Sequence, residues 1–139
     1  MGTALWPIQK AIYTTLSGDA TLMALATGVF DEVPGDQPYP YIVVGEGTES
    51  PLECMSNYGN EDTVNVHIYD SAGPLSDHAG WKKSVNDILS RMDTLLHYQD
   101  LTLEGFTPKA TVKYDGGQTL KQGNIRHFVA RYRVVIMPK

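Results

Sequence analysis

From Thr63 to Tyr69 apolar and polar residues alternate without a break. Val64, Val66 and Ile68 fall to one side, and Asn65, His67 and Tyr69 to the other. A period of two is the geometry of a strand with one face buried. The stretch from Ile125 to Ile136 repeats it, with Phe128, Ala130, Tyr132, Val134 and Ile136 on one face. His127, Val129, Arg131, Arg133 and Val135 lie on the other. Two such strands need an apolar layer over one side of a sheet and leave the opposite side polar.

Helices supply that layer. Leu5, Ile8, Ile12 and Leu16 recur at spacings of three and four, with Pro7 tolerable because it falls in the first turn. Gly18 ends this helix, Asp19 caps a short second one through Leu22, Met23 and Leu25, and Gly28 closes it. Trp81, Val85, Ile88, Leu89, Met92 and Leu96 form one stripe of the longest helix, with Ser76 or Asp77 as its cap. Val29-Phe30-Asp31 and Tyr41 to Val44 read as strands, and the prolines of the intervening Val33–Pro40 segment exclude helix. Gly45 to Glu61 is polar, acidic and rich in turn residues, so a long, solvated loop is expected there. Leu101 and Leu103 begin a strand that Gly105 and Pro108 interrupt and that Ala110, Val112 and Tyr114 continue. Asp115-Gly116-Gly117 marks a turn. Helices and strands do not alternate one for one, which argues against a doubly wound parallel sheet. The expectation is an α+β fold: an antiparallel-dominated sheet of four to five strands with two main helices on one face, in one domain over residues 1–139.

A chain of 139 residues buries roughly two thirds of the surface exposed when unfolded, enough for a core without staples. The net charge of −5 and the lack of clustered basic residues argue against a nucleic-acid or anionic-membrane partner. A lone cysteine, Cys54, cannot form an internal disulfide and fits a reducing compartment. No secretory leader is visible, and the longest apolar runs are strand-sized, too short to span a bilayer.

The search for chemistry returns little. His67, His78, His97 and His127 show no metal-ligand spacing. Helical rise places His78 and His97 roughly 28 Å apart. His67 and His127 can face each other on the outer side of the sheet, and ordinary polar surface is the expected reading. Cys54 has Glu53 beside it and no basic neighbour to favour a thiolate. Gly45-Glu46-Gly47 lacks the third glycine and following helix of a nucleotide-binding turn. Glu46, Glu49, Glu53, Glu61 and Asp62 lack the ligand register of a calcium loop. Tyr39, Tyr41, Tyr69 and His67 are possible pocket lining, with nothing in the sequence to bring them together. Neither a metal nor another cofactor is expected. Arg131 and Arg133 project together from the last strand, a pattern suited to a protein interface.

Taken in order, these pieces resemble the tail-completion family of long-tailed bacteriophages and prophages, which is compared with tail terminator and head-to-tail joining proteins. The resemblance spans nearly the whole chain. It rests on the helix from Leu5 to Leu16, Asp19-Ala20 with its small apolar helix, and the element Val29-Phe30-Asp31-Glu32-Val33-Pro34. Pro38-Tyr39-Pro40-Tyr41-Ile42-Val43-Val44-Gly45, the strand Thr63 to Tyr69 and the strand His127 to Arg133 complete it. The segment Gly45 to Glu61 and the position of Pro7 depart from the pattern. The resemblance implies a ring of self-assembled subunits, hexameric in related terminators, with no catalysis. Such a ring caps the tail tube, meets the head-completion or connector protein, and lets DNA pass through its lumen. It implies a virion protein of the tail and head–tail interface, made in the bacterial cytoplasm, with no membrane partner. The residues expected at subunit contacts are Arg131 and Arg133 on one patch and Glu46, Glu49, Glu53 and Glu61 on the other. A different tail or neck component, such as a tube or connector subunit, is the alternative, and a small-molecule-binding dimeric α+β domain is a further one.

Overall fold

The computed structural model describes residues 5–33, 35, 37–53, 58–71, 81–103, 110–122 and 125–136, with the backbone alone at 50–53, 58–60, 71, 81, 82, 121 and 122. Three helices, α1 (Leu5–Ser17), α2 (Ala20–Leu25) and α3 (Trp81–Leu96), accompany six strands. The strands are β1 (Val29–Phe30), β2 (Tyr41–Glu53), β3 (Tyr58–Ser71), β4 (Asp100–Leu101), β5 (Ala110–Gln122) and β6 (Ile125–Ile136). They form one sheet in the order β1-β2-β3-β6-β5-β4.

The helix stripes became the core. Ile8, Ile12 and Leu16 of α1, Leu22 of α2, and Ile88, Met92 and Leu96 of α3 are all fully buried. They meet Val64, Val66 and Ile68 of β3 and Ala130, Tyr132, Val134 and Ile136 of β6 in one cluster, so the helices cover one face of the sheet. Each large apolar side chain removed from water there contributes about 1.5–3 kcal/mol. Pro7 sits in the first turn of α1, where a missing N–H costs nothing. The Gly18 N–H closes that helix on the Thr14 carbonyl at 3.0 Å.

Asp19 has two tasks. Its carboxylate accepts from the Leu22 N–H at 2.8 Å, capping α2. It also takes a forked pair of hydrogen bonds from Arg91 of α3, with Nε and Nη2 each at 2.8 Å. The Arg91 guanidinium is the main reason that this carboxyl is held down to about 2. One acidic side chain therefore starts a helix and ties it to the longest one.

The sheet departs from expectation in four places. It has six strands rather than four to five, and its β1–β2 edge pair is parallel. The supposed loop from Gly45 to Glu61 is the distal half of a β2–β3 hairpin, paired from Gly47↔Val64 to Glu53↔Tyr58. It lacks apolar alternation, and its ladder is held by main-chain bonds and a Thr48–Thr63 hydroxyl contact. Asp115-Gly116-Gly117 does not turn the chain; it forms a bulge inside β5, with Gly116 at φ 112. Leu101 does not run on into Ala110, because β4 folds back and pairs with β5 antiparallel. The short helix α2 ends at Ala26, whose N–H bonds to the Leu22 carbonyl, two residues before Gly28. The expected caps at Ser76 and Asp77 lie outside the described residues.

Candidate functional site: the helix-free face of the sheet

The face of the sheet turned away from the helices carries the odd-numbered residues of β3 and β6, which makes it the polar side predicted by the alternation. Two bulges shape it. The β2 register shifts between Val44 and Gly47 and the β5 register between Tyr114 and Gly117. Both shifts fall beside the same rung, Asn65↔Arg131. A bulge bends its strand and sharpens the local twist, so the pair creases the sheet along one line. A groove of about 480 Å³ lies there, lined by Asn65, Asp115, Gly116, Gly117, Gln118, Val129 and Arg131. The close packing beside the bulges requires glycine. A Cβ on Gly45 would stand 2.6 Å from the His67 ring, and one on Gly117 would collide with Phe128.

A polar network runs from this crease in both directions. On the β2 side, Glu46 accepts from Asn65 Nδ2 at 2.9 Å and meets His67 Nε2 at 3.2 Å. The Asn65 amide is the chief reason that the Glu46 carboxyl lies below the usual range. His67 Nδ1 in turn lies 2.6 Å from Nε2 of His127. Burial, followed by the charge of His67, pushes the His127 imidazole down. Its Nδ1 has no hydrogen-bond partner among the described residues. Tyr69 stacks on His127 with ring centroids 4.2 Å apart, Tyr41 on Tyr69 at 5.2 Å, and Tyr39 on Tyr41 at 5.3 Å. On the β6 side, Asp115 receives Arg131 at 3.3 Å and Arg133 at 3.2 Å, and Arg133 also meets Glu61 at 3.4 Å.

The residues singled out by sequence are therefore divided. Arg131, Arg133 and Glu61 share one cluster, while Glu46 belongs to the histidine side. Glu49 stands opposite Asp62, on the face that the helices cover, because the β2 bulge reverses the alternation. Glu53 is the last residue of β2, described by its backbone. The His67–His127 pair, read from sequence as polar surface, is an intimate contact. The tyrosines join it in one aromatic ladder. Only the β3–β6 register, which sets Tyr69 opposite His127, could have revealed either. Among the described residues no group of three His, Cys, Asp or Glu is placed to hold a metal ion. His97 accepts the Tyr114 N–H at 2.8 Å. Cys54 and His78 lie outside the described residues.

The geometry thus consists of a charged, creased and open sheet face, suited to contact with another surface. Comparison with known proteins gives that face its context. Residues 10–137 match the family model of the tail completion protein gp17. The chain belongs to that family. It is 31% identical over 100 residues to the tail completion protein gp17 of Bacillus phage SPP1, covering 72% of this chain and 69% of that one. The solved structure of bacteriophage SPP1 gp17 superposes with a TM-score of 0.60 at 27% identity, over 98% of this chain and 96% of the other. A chain from the virion of a native gene transfer agent particle shares the fold, with a TM-score of 0.80 at 18% identity over 99% and 100% of the two chains. The protein is accordingly a bacteriophage tail completion protein, a structural component of the virion. No described helix is long and apolar enough to cross a membrane.

Proposed function

We propose that this chain, acting as one domain over residues 1–139, forms a ring, hexameric as in related terminators. The ring ends the growing tail tube and joins it to the head-completion or connector protein, without catalysis. The observation that carries the reading is the family match over residues 10–137. The architecture supports it: the helix-free face presents opposed charges rather than an apolar pocket with a few convergent polar groups, which is the usual form of a small-molecule site. Arg131, Arg133, Glu46, Glu49, Glu53 and Glu61 are the proposed subunit-contact residues, with Glu61 in the arginine cluster and Glu49 on the helix side rather than together on one acidic patch. DNA passes through the lumen without specific binding, and subunits made in the host cytoplasm end in the virion.

The test is the mass of the purified chain in solution over a range of concentration and salt, followed by addition of tail tubes and inspection by electron microscopy. A discrete ring-sized species, or caps on tube ends, is expected. A long self-polymer would support a tube subunit instead, and a stable dimer holding a small molecule would overturn the proposal.

A further inference from the structure

On the helix-free face, His67 Nδ1 and His127 Nε2 turn toward each other across the β3–β6 boundary, 2.6 Å apart. Both side chains are largely shielded from water, His67 being 12% and His127 7% exposed. Their rings are held from three directions. Tyr69 stacks on His127 at an interplanar angle of 14°. Gly45 packs so closely on His67 that a Cβ there would stand 2.6 Å from the ring. Glu46 reaches the far nitrogen of His67 with both carboxylate oxygens, each at 3.2 Å.

These contacts fix the hydrogens. A carboxylate only accepts, so His67 Nε2 carries the hydrogen and donates it to Glu46. In the neutral ring, Nδ1 then holds a lone pair aimed at His127. Burial lowers His127, so its imidazole is neutral above about pH 7. Two neutral imidazoles, one backed by a carboxylate, are the donor set of a borderline divalent metal. A ligating ring commonly gives its other N–H to a carboxylate, which sets its tautomer and raises its basicity. Imidazole nitrogen suits zinc, nickel and copper, whereas calcium and magnesium take oxygen. Tetrahedral zinc with bonds of about 2.0–2.1 Å holds two nitrogens roughly 3.3 Å apart, so the rings need separate by less than about 1 Å. Glu46, whose carboxyl lies below the usual range, is ionised and offsets part of the cation's charge.

The geometry points to a two-histidine metal site, in which His67 Nδ1 and His127 Nε2 ligate a divalent ion of the zinc, nickel or copper type while Glu46 orients His67 from behind. No third His, Cys, Asp or Glu among the described residues joins them, so water completes the coordination sphere. His127 meets the ion by moving its hydrogen from Nε2 to Nδ1, the nitrogen without a partner among the described residues. Glu46, His67 and His127 belong to β2, β3 and β6, three adjacent strands. The ion therefore ties the sheet together beside the β2 bulge. This inference stands apart from the ring reading.

The test uses the full-length chain without an affinity tag, freed of metal by a chelator that is then removed, with Cys54→Ser to take out the single thiol. Zinc chloride and nickel chloride are titrated separately by calorimetry at about pH 7.5, where imidazole is deprotonated. Calcium chloride is the control. One zinc or nickel ion per chain is expected, and no calcium. His67→Gln and His127→Phe should each abolish zinc binding, and Glu46→Gln should weaken it about tenfold. Excess zinc should raise the melting temperature of the parent chain and leave both histidine variants unchanged. No saturable uptake of zinc or nickel, or unchanged affinity in the histidine variants, would overturn the site. To separate lost binding from lost folding, the imidazole nitrogens of the parent chain are followed by NMR through the zinc titration. Shifts at His67 and His127 are expected, and shifts confined to His78 and His97 would overturn the proposal.

Discussion

His67 Nδ1 lies 2.6 Å from His127 Nε2, although the two residues are 60 apart in the chain. Glu46 sits on the far nitrogen of His67, and His127 is buried with a ring nitrogen that no described group satisfies. The two rings therefore cannot both be charged without repulsion at close range.

This arrangement sets a sign for the pH dependence. Burial and His67 lower the folded-state pKa of His127. A base with a lowered folded pKa contributes stability above its unfolded value of about 6.5, and loses it as pH falls through the folded value. His127 should contribute a fall in melting temperature between about pH 7.5 and pH 5.5, set against the opposite contribution of Asp62 in the same range. His127→Phe, which keeps the stack on Tyr69, should flatten that slope. Equal slopes in thermal melts of the two proteins would refute a role for this pair.

Asp62 predicts the opposite sign. It is fully buried on the helix side, its oxygens find no donor among the described residues, and burial followed by the charge of Glu49 raises it to about 7. An acid with a raised folded pKa contributes stability at low pH and loses it as pH rises through about 7. Asp62→Asn should therefore stabilise the protein at about pH 8 by about 1–3 kcal/mol and leave it little changed at about pH 4. Denaturant unfolding at the two pH values checks this.

Among the described residues Tyr132 is the largest fully buried side chain, and its hydroxyl has no partner there. Burial raises its pKa well above the ordinary tyrosine value. Removing an unsatisfied buried hydroxyl while keeping the ring relieves a desolvation cost. Tyr132→Phe should be neutral or stabilising by about 1 kcal/mol, and a clear fall in melting temperature would show that the hydroxyl is satisfied.

Gly117 packs under the Phe128 ring at the β5 bulge, leaving no room for a methyl group, whereas Gly35 has nothing within 4 Å of its Cβ position. Gly117→Ala should cost about 1–3 kcal/mol through forced repacking. Gly35→Ala should be near neutral, so the two melting curves make an internal control.

The elements with strong periodicity were legible because burial of one face imposes a period on the residues. The β6 bounds, Ile125–Ile136, and the stripes of α1 and α3 follow from such patterns. The distal β2–β3 hairpin was hidden because Gly47, Glu49 and Asp62 stand on the helix side, where a core-facing strand would carry apolar residues. The Asp115-Gly116-Gly117 bulge was hidden because glycine marks a tight turn and a bulge alike.

Sequence by itself determined the α+β class, the helix stripes, the polar outer face with Arg131 and Arg133, and the family resemblance. All of these depend on local order and side-chain periodicity. Tertiary structure alone decided that His67 meets His127, that Glu46 and Glu49 part to opposite faces, and that two bulges share one rung. The physical reason is register. Pairing between strands distant in sequence is set by the summed packing of the whole sheet against its helices, and a single bulged residue reverses every side chain beyond it.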